Sequence, residues 1–561
     1  MLRLHVNPLD YTILGIYFAL VVAIGVIARR AVATSEDFLL SGRSLPAWIT
    51  GLAFISANLG AIEILGMAAN GAQYGLPTVH FYWIGAVPAM VFLGLVMMPF
   101  YYGSRVRSVP EFLLRRFNPP THLFNALTFA LAAVLIAGVN LFALALVVNA
   151  LIGWPIWVSI VVSALFVLAY ITLGGLSGAI YNEVLQFFVI IAGLVPLVVI
   201  GLHSVGGWSG LQDKIDHTKL GEAAFSTWGG VGAGSWANPL GDWIGIVFGL
   251  GFVLSFGYWT TNFVEVQRAM ASKDMNSARR APIIGSFPKM FVPFIIILPG
   301  MIAALLVTPL ADLKKSGGDT GQGGITYNDS LLLLMKQLLP NGLLGVAIAG
   351  LLAAFMAGMA ANISAFNTVV SYDLWQTYVQ KDKPDHFYTS FGRMATVVAT
   401  VIAIGTSYFA SQFPNMMDYL QTLFGFFNAP LFATFILGMF WKRMTSTAGW
   451  TGLVAGTLAA VLVAFLSEDA FGSASMGVLH ISGQGAAFVA ASAAFVVDIV
   501  VSVVVTYATQ PKPSSALRGL VYSETPKEEL FDDHSTQWWM SPTKLAGVSL
   551  VMVIILNVIF H

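Results

Sequence analysis

Two short stretches place polar chemistry inside an otherwise apolar chain. "SANLGAIE" brings Ser56, Asn58, Gly60 and Glu63 together within eight residues, and "SFGYWTTN" gathers Ser255, Gly257, Tyr258, Trp259, Thr260 and Asn262. Hydroxyls, amides and a carboxylate at this spacing offer hydrogen bonds to a polar solute and hard oxygens to a cation. Neither a nucleophile–base pair nor a His/Cys metal cluster accompanies them, which argues against an enzyme. The chain has no cysteine, so disulfides and thiolate metal sites are excluded. Outside these stretches, Glu183, Lys289 and Asp498 also fall within apolar segments. With Glu63 they form a set of intramembrane ionisable groups, each a functional candidate because charge in lipid is costly. The glycines have a plainer role open to them, close helix packing.

The elements that must hold these groups are apolar runs of about 20 residues, the length that crosses a lipid core. The 561 residues are 57% hydrophobic and 10% charged, with a mean hydropathy of +0.79. A soluble domain carries about a quarter charged residues, so an all-α polytopic membrane protein is expected. The runs predict fourteen spans, near 9–28, 46–72, 78–102, 121–150, 155–173, 177–202, 243–270, 281–308, 327–376, 390–411, 416–441, 446–466, 481–508 and 541–560. The run 327–376 is long enough to include an extra helix before its membrane part. The first run, Tyr11 to Ala28, is too long for a signal-peptide core, and its strongest positive charge follows it, so it reads as a retained helix.

Lys and Arg mark cytoplasmic loops. The groups Arg29/Arg30/Arg43, Arg105/Arg107/Arg115/Arg116, Arg268/Lys273/Arg279/Arg280, Lys381/Lys383, Lys442/Arg443 and Lys512/Arg518/Lys527 all fall on one face of a fourteen-span chain. The opposite face collects only scattered cations such as Lys214, Lys219, Lys314 and Lys315. Both termini are therefore expected outside a bacterial inner or plasma membrane. Loops 203–242 and 309–326 are expected to cap an entrance, and 510–540 to form a cytoplasmic linker. A net charge of zero without a basic tract gives no sign of a nucleic-acid partner. The lipid bilayer is the expected surrounding, and no obligate protein partner is evident.

Backbone polar groups in lipid must be satisfied internally, so an unwound helix survives only where it is buried or lines a cavity. The two polar stretches lie in spans two and seven, each the first of a set of five, with the sets facing opposite ways. That is the inverted-repeat plan of secondary transporters, whose broken helices free carbonyls and amides for ions and substrate.

At this point the chain resembles the solute:sodium symporter family, and within it the sodium/glucose (galactose) cotransporters, over nearly its whole length. The stretches that carry the likeness are "ANLGAIEILGMAANGAQYGL", "SVPEFLLRRFNP", "GGLSGAIYNEVLQ", "GYWTTNFVEVQRAMASKDMNSARRAPIIGSFPKMFVPFIIILPGM", "PNGLLGVAIAGLLAA", "DYLQTLFGFFNAP" and "LGMFWKRMTSTAGW". The resemblance implies a LeuT-type fold of two inverted five-helix repeats, at 46–202 and 243–441. An extra helix at 9–28 and peripheral helices over 446–561 flank them. It also implies solute import by alternating access coupled to Na+. Residue by residue, it carries a sugar-contacting Asn onto Asn58, a stacking gate Tyr onto Tyr258 followed by Trp259, a Lys onto Lys289 and a Gln onto Gln421, with Ser255 in the same region. Two positions depart: Glu63 stands where the sugar carriers have Gln or His, and Tyr82, in "HFYW", where they have Glu. A Glu63–Lys289 pair across the cavity is expected, with a sugar, polyol or other small polar solute as cargo.

The sodium site implied by the resemblance departs further. Carbonyl positions fall at Ser56 and Leu59, the family's Asp corresponds to Glu183, and Ala354 belongs to the same expected site. The family's two adjacent serines correspond to Ala357 and Gly358, so both hydroxyls are missing. Sodium held by carbonyls, Glu183 and water, proton coupling through Glu183, and an uncoupled facilitator or sensor all remain open from the residues.

Overall fold

The computed structural model describes residues 3–29, 34, 37, 41–217, 225–228, 245–316, 324–411, 416–468, 475–481, 483–526 and 537–560. Arg30, Lys219 and Lys527, with much of the expected caps and linker, lie outside the described residues. The helices that build the site are α1 (Pro8–Arg29), α2 (Ala47–Asn58), α3 (Ile62–Tyr74), α4 (Leu76–Gly103), α5 (Pro119–Ile152), α6 (Ile156–Val205), α7 (Gly245–Thr261), α8 (Phe263–Met270) and α9 (Met275–Leu306). They continue as α10 (Ser330–Leu338), α11 (Leu343–Val379), α12 (Asp385–Ala410), α13 (Met416–Phe440), α14 (Ser446–Leu466), α15 (Gly483–Ala508) and α16 (Pro542–Ile559).

Local chemistry explains the ends. Asn118 caps α5 by accepting from Thr121 N at 3.1 Å, and Gly153 closes it at φ +81°. A left-handed residue there is the usual glycine terminus. Asp274 starts α9 by accepting from Ser277 N at 2.6 Å. Four prolines, at 282, 288, 293 and 299, lie inside α9, each removing a rung of its ladder. One carbonyl of this helix, Met290 O, is taken by the Trp83 indole N–H at 2.9 Å.

Among the described residues, eleven helices are long and apolar enough to cross a membrane, and the bent pairs α2/α3 and α7/α8 raise the number to thirteen. The expected count of fourteen is not reached. Spans 155–173 and 177–202 lie end to end in α6; of its two apolar stretches Leu176–Val205 is long enough to span and Ile156–Ala169 is too short to span alone. The extra helix expected early in 327–376 is α10.

The bent pairs lie at the centre. Helix α9 packs along α2 and α3, α8 against α2, α11 against α5 and α6, and α13 against α7, while α14 and α15 pack outside α13. Peripheral helices expose residues such as Ile16, Leu20, Leu458, Val504 and Val558. In a soluble protein so many exposed aliphatics would be a liability; here they form the lipid-facing surface.

Candidate functional site

Both polar stretches break their helices. The axis turns 59° between α2 and α3, where Leu59 leaves helical geometry (φ −71°, ψ 46°) and Gly60 N bonds back to Asn58 O at 2.7 Å. It turns 49° between α7 and α8 at Asn262, which is extended (ψ 112°) and caps α8 by accepting from Val264 N at 3.0 Å.

The breaks open onto one cavity of about 750 Å³ including its mouth, lined by Asn58, Glu63, Ser255, Tyr258, Trp259, Lys289 and Gln421, among others. Seven of the eight expected solute-contacting residues therefore meet in a single space. The eighth, Tyr82, is buried with its ring 4.8 Å from the Lys289 ammonium. Lys289 is itself buried; it donates to Glu63 Oε1 at 2.5 Å and to Asn58 Oδ1, and lies 5.2 Å from the Trp259 ring. The paired carboxylate and ammonium answer the cost of charge at this depth.

From Asn58 the hydrogen bonds continue. The Asn58 amide donates to Tyr258 OH at 2.9 Å, and that hydroxyl donates to Glu265 Oε1 at 2.6 Å. The Tyr258 ring packs on Phe424 with centroids 4.4 Å apart. An unbroken chain thus runs from Glu63 through Lys289, Asn58 and Tyr258 to Glu265. Sequence reasoning passed over Glu265, although it is an ionisable residue inside the expected span 243–270 and fully buried in the first turn of α8. Arg268, one turn later, is the residue of this turn that the charge pattern picked out, as part of a cytoplasmic group.

The residues read as sodium ligands are distributed differently. Ser56, Leu59, Ala354 and Ala357 are fully buried and do not line the cavity, whereas Gly358 does. Glu183 is held by Arg268, with Nη2–Oε1 at 2.6 Å and Nε–Oε2 at 3.3 Å, and both side chains are buried. Asn140, also missed in the sequence, occupies the space beside positions 60 and 358. Its Oδ1 accepts from Ala61 N at 2.9 Å and its amide donates to Ile136 O at 3.0 Å. A Cβ on Gly358 would lie 3.0 Å from Gly60 Cα and collide with Asn140 Oδ1. A serine at 358 therefore has no room for its hydroxyl. Gly358→Ser is expected to lower stability by about 1–3 kcal/mol through overpacking, read as a depressed thermal midpoint of the purified protein; an unchanged midpoint would mean that α2 and α11 separate there freely. Asp498 is satisfied locally, accepting from Thr434 at 2.8 Å and Ser502 at 2.9 Å.

Similarity to known proteins identifies the family and the fold. The model of the sodium:solute symporter family matches residues 38–456. The sodium/glucose cotransporter of Vibrio parahaemolyticus is 29% identical over 469 residues, covering 82% of this chain and 85% of that one. Sodium/glucose cotransporter 1 of Ovis aries is 28% identical over 494 residues, 84% and 73% of the two chains. Among solved structures, a Na+-coupled sialic acid symporter in a substrate-bound outward-open state superposes with a TM-score of 0.73 at 18% identity, over 90% of this chain and 99% of its own. A nucleobase-cation-symport-1 family transporter gives 0.51 at 15% identity, over 88% and 98%. The fold is thus LeuT-type. Broken helices meeting at a polar cavity, in a chain matched over most of its length by one transporter family, leave no room for an enzyme: the chain belongs to the sodium:solute symporter family and is a multi-pass, Na+-coupled solute symporter.

Proposed function

We propose that the chain imports a sugar, or a polyol of similar size and polarity, by alternating access. The observation that carries this reading is Lys289, buried between Asn58 and Glu63 and flanked by the rings of Tyr82 and Trp259. A sugar ring offers apolar faces for aromatic contact and a fan of hydroxyls for an ammonium, a carboxylate and the amides of Asn58 and Gln421. Such mixed lining suits a compact polar solute. The printed names of the relatives, sodium/glucose cotransporters, point the same way.

On this reading 46–202 and 243–441 are the two repeats, and one bundle rocks against the rest around the cavity. The protein sits in the cell membrane with both termini extracytoplasmic. Sodium would draw on carbonyls at Ser56 and Leu59, beside the break between α2 and α3, and on further oxygens from the cavity wall. The test is uptake by proteoliposomes of labelled hexoses and polyols under an imposed inward sodium gradient. Accumulation above equilibrium that collapses when choline replaces sodium is expected. Failure to accumulate or be displaced by any hexose or polyol would end the sugar assignment.

A further inference from the structure

Among the described residues, two buried carboxylates, Glu183 and Glu265, the partly exposed Glu63 and two buried cations sit around the breaks. Glu63 is paired with Lys289 and Glu183 with Arg268. The remaining Arg268 nitrogen, Nη1, is taken by Val264 O at 3.1 Å and Gln267 Oε1 at 3.0 Å. Glu265 is left over. It is fully buried and lines the cavity; its Oε1 accepts from Tyr258, and its Oε2 has no hydrogen-bond partner among the described residues. The N-terminal dipole of α8 offsets part of its charge. An isolated carboxylate nonetheless stays costly away from water unless a cation joins it.

A second orphan lies on the same cavity. The Asn362 amide, on α11, donates to Gly358 O at 2.8 Å, while its buried Oδ1 also lacks a partner among the described residues. A carboxylate oxygen and an amide oxygen, both buried and both without a donor among the described residues, are the ligand chemistry of a hard monovalent cation. We propose that Glu265 Oε2 and Asn362 Oδ1 hold the coupling sodium, supplying the anionic and neutral oxygens that the serine-less positions Ala357 and Gly358 cannot. The location also accounts for coupling. A cation on Glu265 changes the acceptor of the Tyr258 hydroxyl, which orients Asn58 and, through it, Lys289 in the solute cavity. The inference rests on sodium coupling and, for that link alone, on the proposed solute pocket.

The full-length protein, purified in detergent without solute, is titrated with NaCl against choline chloride at constant ionic strength. Thermal midpoint and the fluorescence of the tryptophans, including Trp259 beside Tyr258, are followed. Wild type is expected to saturate with sodium. Glu265→Gln, which keeps an acceptor for Tyr258 and removes the charge, should raise the half-saturating sodium concentration about tenfold or more. Asn362→Ala should raise it by a smaller factor. Sodium titrations of Glu265→Gln that overlay wild type overturn the proposal, as does a wild type with no sodium response. A variant that keeps its sodium response but loses pH-dependent proton release would assign the position to a proton and overturn it too. Solute binding is then measured at saturating sodium. Absence of hexose binding there, with the sodium titrations behaving as expected, refutes the sugar reading and leaves this site standing.

Discussion

Lys289→Ala is expected to abolish concentrative solute uptake. Among the described residues the ammonium is the one group that hydrogen-bonds both Asn58 and Glu63, and the cation–ring contacts with Tyr82 and Trp259 disappear with it. Charge-assisted hydrogen bonds are worth about 1.5–3 kcal/mol each. Their loss is not additive, so a weakening of solute binding by roughly 30-fold to several hundred-fold is the reasonable range. Folding should suffer less, because Glu63 lines the cavity and retains access to water, its side chain being 14% exposed. Lys289→Arg is a sharper control: it keeps the charge, but its planar fork cannot place one nitrogen between two acceptors as a compact ammonium does. Equilibrium binding of a labelled hexose to purified variants is the measurement. Wild-type affinity in Lys289→Ala would remove the lysine from the solute's shell.

The centre of this fold was legible in the sequence because polarity in a membrane span is expensive and therefore sparse. Asn58, Glu63 and Lys289 stood out against apolar neighbours, and the pairing of the last two followed from the cost of leaving either alone. What stayed hidden has equally physical causes. Glu265 carries the same kind of signal, but Arg268 one turn away could neutralise it as far as the sequence shows; only the fold shows that Arg268 turns to Glu183 instead. Asn140 sits in the apolar run "AGVNLFA" and gives no local sign that its amide meets the freed Ala61 N–H of a helix far away in sequence. The helix count stops at thirteen because of α6, where hydropathy marks two runs and the first, Ile156–Ala169, is too short to span alone. Hydropathy reports what lipid tolerates, and says nothing about whether a helix stops between two tolerated stretches.

Arg268→Met is expected to be the most destabilising single change near the breaks. The guanidinium joins α8 to Glu183 on α6 through two nitrogens, and both side chains are shut off from water. Removing it strands a second buried carboxylate near Glu265, at a cost of about 3–5 kcal/mol for breaking such a pair. Glu183→Gln should cost less, since Arg268 keeps Val264 O and Gln267 Oε1 as acceptors. Replacing both residues together, Arg268→Met with Glu183→Leu, should recover much of the loss, because apolar substitutes for a buried ion pair are often neutral. Thermal midpoints of wild type, Arg268→Met, Glu183→Leu and the double variant close a double-mutant cycle whose interaction energy belongs to the pair. The same variants decide what Glu183 does in transport. With both oxygens committed to Arg268, its charge is structural, so Glu183→Gln should keep the wild-type dependence of uptake on pH while sodium dependence persists. A flattened pH profile in that variant would mean that the pair opens during the cycle and that Glu183 carries a proton when it does.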